Sequence, residues 1–565
     1  MMAMEDFRDN LLKMLFVEKK LAEEDAERQK NMSREEKVEN NLLLINVTIK
    51  SHEDDVYELN VPDNYSKLRA GDKIVIAKEE TSFKCEATVI DVFFDTLTIS
   101  CDKELDNNAT YAVEQKSPDL LQSLIACLEG IYSGVPGAAF LRLLSGEEKL
   151  EVVDFLKLNI EDVPYFDKIK NSLNQEQLAA VSSMLEYPPV HVLQGPPGTG
   201  KTAVLAATAI ATSRMNREVV IIANTHHAVN NALLKIRSVD KKATLIKVGA
   251  ELKSDELDDT ILKLEKFSEY YEYSYKNRRK KRTGHIIGMT IWGAITHLGL
   301  HHHAHFRPYI ALVDEASLMP LSYATILGKT APSVCLFGDS QQMPPIFRPE
   351  LESNEYSISI LDYCSKRVDG VPVAVLNTTY RMNETITNVV SKSFYEPHGI
   401  CLRSAETIAE NSFHSTYMDS MGYKESFVFV DPILSTPHCQ EENEGEADAV
   451  IEMVEALLEE GKRSDDIAVI TPFRKQVRLL REKAKEVISQ EVLPLIDTVE
   501  RLQGQDVDCI ILSFASSDEG YIIEIHDFLF NSNRLNVMIS RAKSKVIIFG
   551  SEVIQQRLKH ILSIR

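Results

Sequence analysis

One eight-residue run constrains this chain more than any other: Gly195-Pro196-Pro197-Gly198-Thr199-Gly200-Lys201-Thr202. It fits G-x-x-x-x-G-K-[ST]. It follows the apolar segment Val190–Leu193 and opens a helical run from Ala203 to Thr212. Strand, glycine loop and helix in that order make a phosphate cradle. The glycines let backbone N–H groups turn inward at a helix N-terminus, where the dipole favours an anion. Lys201 is placed to reach the β- and γ-phosphates, and the Thr202 hydroxyl to hold Mg²⁺. Further apolar strands, Val219–Ala223 and Ile310–Val313, alternate with helical stretches. That alternation predicts a parallel sheet with helices on both faces.

Three more features point to the same edge of such a sheet. Asp314-Glu315-Ala316-Ser317 ends the strand Ile310–Val313. Asp314 is placed to bind Mg²⁺, and Glu315 to polarise an attacking water. Gly338-Asp339-Ser340-Gln341-Gln342 follows the apolar strand Val334–Phe337 and offers a polar loop beside the phosphates. Arginines at 381 and 541 lie in a second α/β stretch with strands Ile467–Ile470, Cys509–Leu512 and Val546–Phe549. A guanidinium that neutralises transition-state charge accelerates phosphoryl transfer by roughly 10³–10⁵.

The length, 565 residues, suggests about three or four domains. A hydrophobic share of 44% and a charged share of 26% are those of a globular chain. No apolar run approaches the roughly 18–20 residues of a membrane span, and Met1–Lys30 lacks the apolar core of a secretory signal. No membrane partner is expected. The eight cysteines show no paired metal-ligand spacing. They read as buried small hydrophobes of a reducing compartment, cytoplasmic or nuclear. The net charge of −22 argues against a general polyanion binder, but six of the seven residues Lys276–Arg282 are basic. Residues 5–38 read as one polar helix with an apolar stripe of Leu11, Leu12, Leu15, Val17 and Leu21. Short β-type segments over 41–115 predict a small antiparallel barrel.

Taken in order, the motifs resemble those of superfamily 1 helicases, in the 5′→3′ branch that includes the nonsense-mediated-decay and immunoglobulin mu-binding helicases. Leu173-Asn174-Gln175-Glu176-Gln177 is similar to the family's Q motif. The glycine loop, Asn224–Asn230, Asp314–Ser317 and Gly338–Pro345 follow, then Tyr380-Arg381-Met382, Thr471–Gln476, Asp497–Asp506 and Asn533–Lys543. The resemblance covers about 171–551. It implies an α/β architecture of two tandem RecA-like P-loop domains, with a small β-barrel accessory domain and a helical insertion. The expected division is 1–40 N-terminal stalk helix, 41–115 accessory barrel, 116–170 stalk helices, 171–375 first RecA-like domain with an insertion at about 250–285, and 376–565 second RecA-like domain.

The resemblance also implies roles. Lys201, Asp314, Glu315, Gln342, Arg381 and Arg541 would be catalytic. ATP would contact Gln177, whose amide would read the base, together with Gly195, Pro196, Pro197, Gly198, Thr199, Gly200, Lys201, Thr202 and Asp506. Mg²⁺ would sit between Thr202 and Asp314. Single-stranded RNA or DNA would touch Thr225, His226, Lys276, Arg278, Arg279, Pro472 and Gln503. Tyr270, Tyr271, Tyr273 and Tyr275 offer rings for base stacking or for packing within the insertion. The implied function is an ATP-dependent helicase or translocase moving 5′→3′ along a single strand. The alternatives are an RNA–protein remodelling ATPase without processive unwinding and a nucleotide-gated clamp. Little chain follows the last motif, so a protein partner for targeting is expected. The cluster His297, His301, His302, His303 and His305 reads as a surface loop rather than a metal site.

Overall fold

The computed structural model describes residues 4–53, 55–62, 66, 68, 72–79, 81–92, 96–116, 120–130, 137–148, 166–249, 257–277, 283–299, 308–431, 435–488, 493–499 and 506–564. Six antiparallel strands close into a barrel in the order β1-β2-β5-β4-β3-β6: β1 (Leu43–Glu53), β2 (Val56–Asn60), β3 (Lys73–Lys78), β4 (Lys84–Val92), β5 (Thr96–Ser100) and β6 (Tyr111–Lys116). Alternation sets the inside from the outside. Tyr57 and Leu59 of β2, Ile74 and Ile76 of β3, and Leu97 and Ile99 of β5 are buried, with half-exposed or exposed neighbours between them.

The chain then builds a parallel eight-stranded sheet: β7 (Val190–Gln194), β8 (Val219–Ala223), β9 (Thr244–Val248), β10 (Leu262–Leu264), β11 (His285–Thr290), β12 (Ile310–Val313), β13 (Ser333–Gly338) and β14 (Val373–Val375). Its order is β10-β9-β11-β8-β12-β13-β7-β14. Every residue of β7, β8, β11, β12 and β13 is buried, as strands covered on both faces must be. A pair of two-residue strands follows, β15 (Thr378–Thr379) and β16 (Arg403–Ser404). The second sheet is also parallel, with β17 (Phe427–Phe429), β18 (Ile467–Ile470), β19 (Leu495–Asp497), β20 (Val507–Ser513) and β21 (Ala542–Phe549) in the order β17-β21-β20-β18-β19. Each sheet carries one apolar core on each face.

The passage between the sheets crosses the glycine loop. Leu376 N–H donates to Gln194 O (3.0 Å) and Tyr380 N–H to Gly198 O (2.8 Å). Thr379 Oγ1 donates to Pro197 O (2.8 Å). Two residues beyond Arg381, Asn383 N–H donates to Lys543 O of the second unit (2.8 Å).

Some expectations need correction. The first helix, Met4–Asn31, stops short of 38, and a second, Arg34–Glu39, restarts behind a Ser33–Glu36 capping box. Ser-x-x-Glu is a helix-start signal that interrupts the run. The buried stripe is Phe7, Leu11, Met14 and Leu15, which pack against Leu124 and Leu128. Val17 is 44% exposed. Between β9 and β11 the chain is not wholly helical, because β10 precedes the helix Phe267–Asn277 and extends the sheet. Two cysteines depart from the buried reading: Cys401 is exposed and Cys439 half-buried. Among the described residues, no helix is long and apolar enough to cross a membrane.

Candidate nucleotide-binding and hydrolytic site

The loop after β7 is shaped by backbone that only glycine adopts freely. Gly198 and Gly200 have φ of +73° and +84°. A Cβ on Gly198 would meet Thr379 Oγ1 at 2.6 Å and also strike Arg381 Cβ; one on Gly200 would strike Gln177 Nε2. Gly200 is the N-cap of the helix Lys201–Arg214 and has no side chain to satisfy the first amides. Those N–H groups are the ones an anion can take. Thr199 Oγ1 donates to Pro196 O (2.7 Å) and Lys201 Nζ to Gly195 O (2.5 Å), closing the loop on itself.

Around the loop lies a cleft of about 700 Å³, within the usual range for small-molecule sites. Pro197 to Thr202, Asp314, Glu315 and Gln342 line it from the first unit, and Arg381, Asp506 and Arg541 from the second. Sequence order alone does not bring these together; the two sheets do. Asp314 leaves β12 with its N–H on Ile222 O (2.8 Å), and its Oδ1 accepts from Glu315 N–H (3.0 Å). Glu315 stands at φ +54°, a left-handed conformation uncommon for a side-chain-bearing residue and frequent at functional sites. Burial and then the Asp314 carboxylate push the Glu315 carboxyl up to about 7. Burial raises Asp314 as well, against the pull of Lys201. It lowers the Lys201 ammonium, against the pull of Asp339 and Asp314.

The arginines arrive as a pair. Arg381 Nη2 is 2.7 Å from Asp506 Oδ1, and Arg541 Nη1 is 3.9 Å from the same oxygen. Arg381 Nη1 donates to Ser540 O (3.0 Å), and Arg541 Nη2 to Gln342 Oε1 (3.5 Å). Burial, then Arg381, push the Arg541 guanidinium down to about 10, so it stays cationic at neutral pH. The Nε atoms of both arginines are buried with no hydrogen-bond partner. Both arginines line the cleft together with the glycine loop, and paired guanidinium groups there fit a polyphosphate. Thr202 and Asp314 line the same cleft, and among the described residues no group of three His, Cys, Asp or Glu residues could hold a metal alone. One carboxylate and one hydroxyl suit Mg²⁺ that takes its other oxygens from phosphate and water.

Other expected contacts fall elsewhere. Gln177 does not line the cleft. Its Nε2 donates to Thr199 O (2.9 Å) and its Oε1 accepts from Asn174 N–H (3.0 Å), so its amide props the loop. Thr225 sits at the cleft rim, where its Oγ1 caps the helix His226–Val239 by accepting from Ala228 N–H (3.1 Å). His226 Nδ1 is 2.8 Å from Nζ of the fully buried Lys247. Pro472 is buried because its segment serves the interior: Gln476 Oε1 accepts from Asn443 N–H (2.8 Å) and its Nε2 donates to Ser513 Oγ (3.0 Å). Lys276 is exposed beside Glu272 (3.5 Å). Arg278, Arg279 and Gln503, and His301, His302, His303 and His305, lie outside the described residues. Tyr270 is buried with its hydroxyl on Glu218 (2.9 Å), so it packs and does not stack on a base; Tyr275 is 67% exposed.

Four residues absent from the expected set shape the cleft. Asp339 anchors Gln342, accepting from its Nε2 at 2.9 Å. Tyr395, Asn533 and Asn536 reach across from the second unit. Asp339 was readable as part of the Gly338–Pro345 loop. Asn533 and Asn536 lie within the Asn533–Lys543 motif, whereas Tyr395 carries no local signature.

Two family models, both described as AAA domain, match residues 172–354 and 356–553. The chain is 27% identical over 412 residues to the DNA replication ATP-dependent helicase/nuclease dna2 of Schizosaccharomyces pombe, covering 67% of this chain and 28% of that protein. It is 25% identical over 464 residues to the DNA polymerase alpha-associated DNA helicase A of the same yeast, covering 72% and 67%. A solved Arterivirus nonstructural protein 10 (helicase) aligns at a TM-score of 0.42 and 12% identity, over 91% of this chain and 80% of that one. The chain thus spans less than a third of the length of the dna2 relative. Two AAA domain models match in succession along the chain, and the chain is similar, at about a quarter identity, to ATP-dependent DNA helicases.

Proposed function

We propose that the protein is an ATP- and Mg²⁺-dependent nucleic-acid helicase or translocase of the 5′→3′ branch, its motor formed by two RecA-like units and the barrel serving as an accessory domain. One observation carries the reading: a glycine loop, an Asp–Glu pair and two buried arginines with orphan Nε atoms converge on one cleft from two sheets. Bound Mg-ATP supplies the γ-phosphoryl group and a Lewis acid on its oxygens. Lys201 and the loop N–H groups hold the phosphates, while Thr202 and Asp314 orient the cation. Glu315 accepts a proton from the attacking water as the new O–P bond forms and the bond to the leaving phosphate oxygen breaks. Arg381 and Arg541 neutralise charge on the transferring group. They come from the other unit, so hydrolysis competence depends on closure, and loss of the γ-phosphate removes what draws the arginines in. Tyr380 lines the cleft with 46% exposure, and its ring is the surface offered to a base.

Both named relatives are DNA helicases by title, so single-stranded DNA is the first activator to try. The test is steady-state ATP turnover alone, with single-stranded DNA and with single-stranded RNA, with Lys201→Ala as the blank. Stimulation absent from the variant supports a translocase, and the better activator assigns the strand. Unstimulated turnover in folded protein would overturn the autonomous-motor reading and favour a clamp or partner-driven ATPase.

A further inference from the structure

From the first unit, Gln342 Oε1 accepts from Arg541 Nη2, and its amide is held from behind by Asp339. That carboxylate is 2% exposed and receives four donors. Gln194 Nε2 (2.7 Å) and Gln341 N–H (3.1 Å) reach Oδ1; Gln342 Nε2 (2.9 Å) and the Tyr395 hydroxyl (2.6 Å) reach Oδ2. Three of the four belong to the first unit. Tyr395 does not: it ends the π-helical turn Ser391–Tyr395 behind Arg381, and it is fully buried. Asn536, from the helix Ser532–Ile539, donates its Nδ2 to the Tyr395 oxygen (2.8 Å) and to Gln341 O (2.7 Å). Asn533 donates to Ser340 O (3.3 Å) and to Gln342 O.

We propose that Tyr395 is a positioning residue whose hydroxyl, by sharing Asp339 Oδ2 with the Gln342 amide, fixes Gln342 and hence Arg541 only while the two units are closed on each other. The geometry makes the dependence directional. The Tyr395–Asp339 bond joins the two units through a neutral donor and a buried carboxylate, so separation leaves both groups to be satisfied anew. On separation Gln342 can keep its bond to Asp339, but the carboxylate oxygen it bonds to is then no longer held in place by Tyr395. What Tyr395 adds is a link from that carboxylate to the segment carrying Arg381, and through Asn536 to the helix leading into Arg541. The closed pocket therefore senses whether its arginines are seated. A hydrogen bond to a carboxylate in such a site is worth about a ten- to hundredfold change in an equilibrium.

The inference rests on the reading of the protein as an ATP-driven motor, so the experiment separates the two. Tyr395→Phe removes the hydroxyl and keeps the ring. Its turnover is measured with and without single-stranded DNA, beside wild type, Gln342→Ala and the double variant, with a thermal melt of each. In parallel, small-angle scattering reads the radius of gyration of wild type and Tyr395→Phe, each alone and with Mg²⁺ and adenylyl imidodiphosphate. The expected result is a melting point near wild type, a kcat lowered about tenfold or more, and a double variant no slower than Gln342→Ala alone. The variant should also be more expanded than wild type with the nucleotide analogue. A merely structural role would lower the melting point and leave kcat per folded molecule unchanged. Wild-type kcat in Tyr395→Phe, or losses that add to those of Gln342→Ala, would overturn the proposal. If wild type shows no turnover, the motor reading fails and scattering alone decides: equal radii overturn the latch, and a more expanded variant supports it.

Discussion

Replacing Glu315 with Gln should make the protein more stable and nearly inactive at once. Burial and Asp314 lift the Glu315 carboxyl from 4.5 to about 7. Between those values the folded protein binds more protons than the unfolded chain, so stability falls as pH rises through the window and levels off above it. At about 1.4 kcal/mol per pH unit, the penalty reaches about 3 kcal/mol by pH 8 and only about 1 kcal/mol at pH 5. These are ceilings, because the side chain faces a cleft that water enters and screens. The neutral Gln amide carries no such penalty. For a unit of 150–250 residues, each kcal/mol shifts melting by roughly 2–4 °C, so the variant should melt roughly 6–12 °C above wild type at pH 8. The gap should narrow to a few degrees at pH 5. Calorimetric melts of both proteins at pH 5, 6, 7 and 8, with a chelator to keep cations from Asp314, would read it. Turnover should drop by roughly 10²–10⁴, the usual contribution of a general base. A melting gap that does not widen with pH would refute the electrostatic account of Glu315, whatever happens to activity.

Arg541→Ala should retain nucleotide binding within a few-fold while stimulated turnover falls by roughly 10³, read by equilibrium binding beside steady-state kinetics. Gln177→Ala strips Thr199 O and Asn174 N–H of their partner, so KM should rise for ATP and GTP alike, by about three- to tenfold; a loss confined to ATP would return Gln177 to base reading. Gly198→Ala meets both a φ of +73° and the Arg381 side chain, and should cost at least tenfold in kcat/KM. Gly422→Ala, at φ +81° with nothing within 4 Å of its Cβ, is the control that carries backbone strain alone and should leave turnover unchanged.

What the sequence makes legible here is what is local along the chain. The glycine loop and the Asp314-Glu315 pair each sit at the end of an apolar strand, and their chemistry follows from a few consecutive residues. Strands β7, β8, β12, β13, β18, β20 and β21 were readable as continuous apolar runs because both of their faces are covered. Contacts between distant segments were not readable. Tyr395 lies 56 positions from Asp339 and Asn536 lies 195 from Gln341, and a buried tyrosine in a helical stretch gives no hint of a carboxylate partner. Gln177 carries two signals at once. Its place in a motif suggested a base reader, yet Asn-x-x-Gln is also a capping box, and local backbone satisfaction claimed the amide. Pro472 lies in a segment that Gln476, four residues on and fully buried, holds inward.

The short passage between the sheets has a mechanical meaning. Residues 376–381 are bonded to the glycine loop at Gln194, Pro197 and Gly198, so the pivot of the second unit is bolted to the phosphate site itself. A globular unit of about 190 residues has a radius of gyration of roughly 16 Å. Swung about such a pivot by about 12°, a point one radius of gyration away travels about 3.4 Å, the axial rise per nucleotide of one strand of a duplex. On the proposed motor reading, a short passage hydrogen-bonded beside the phosphate site passes a small angular change on to the second unit with little slack.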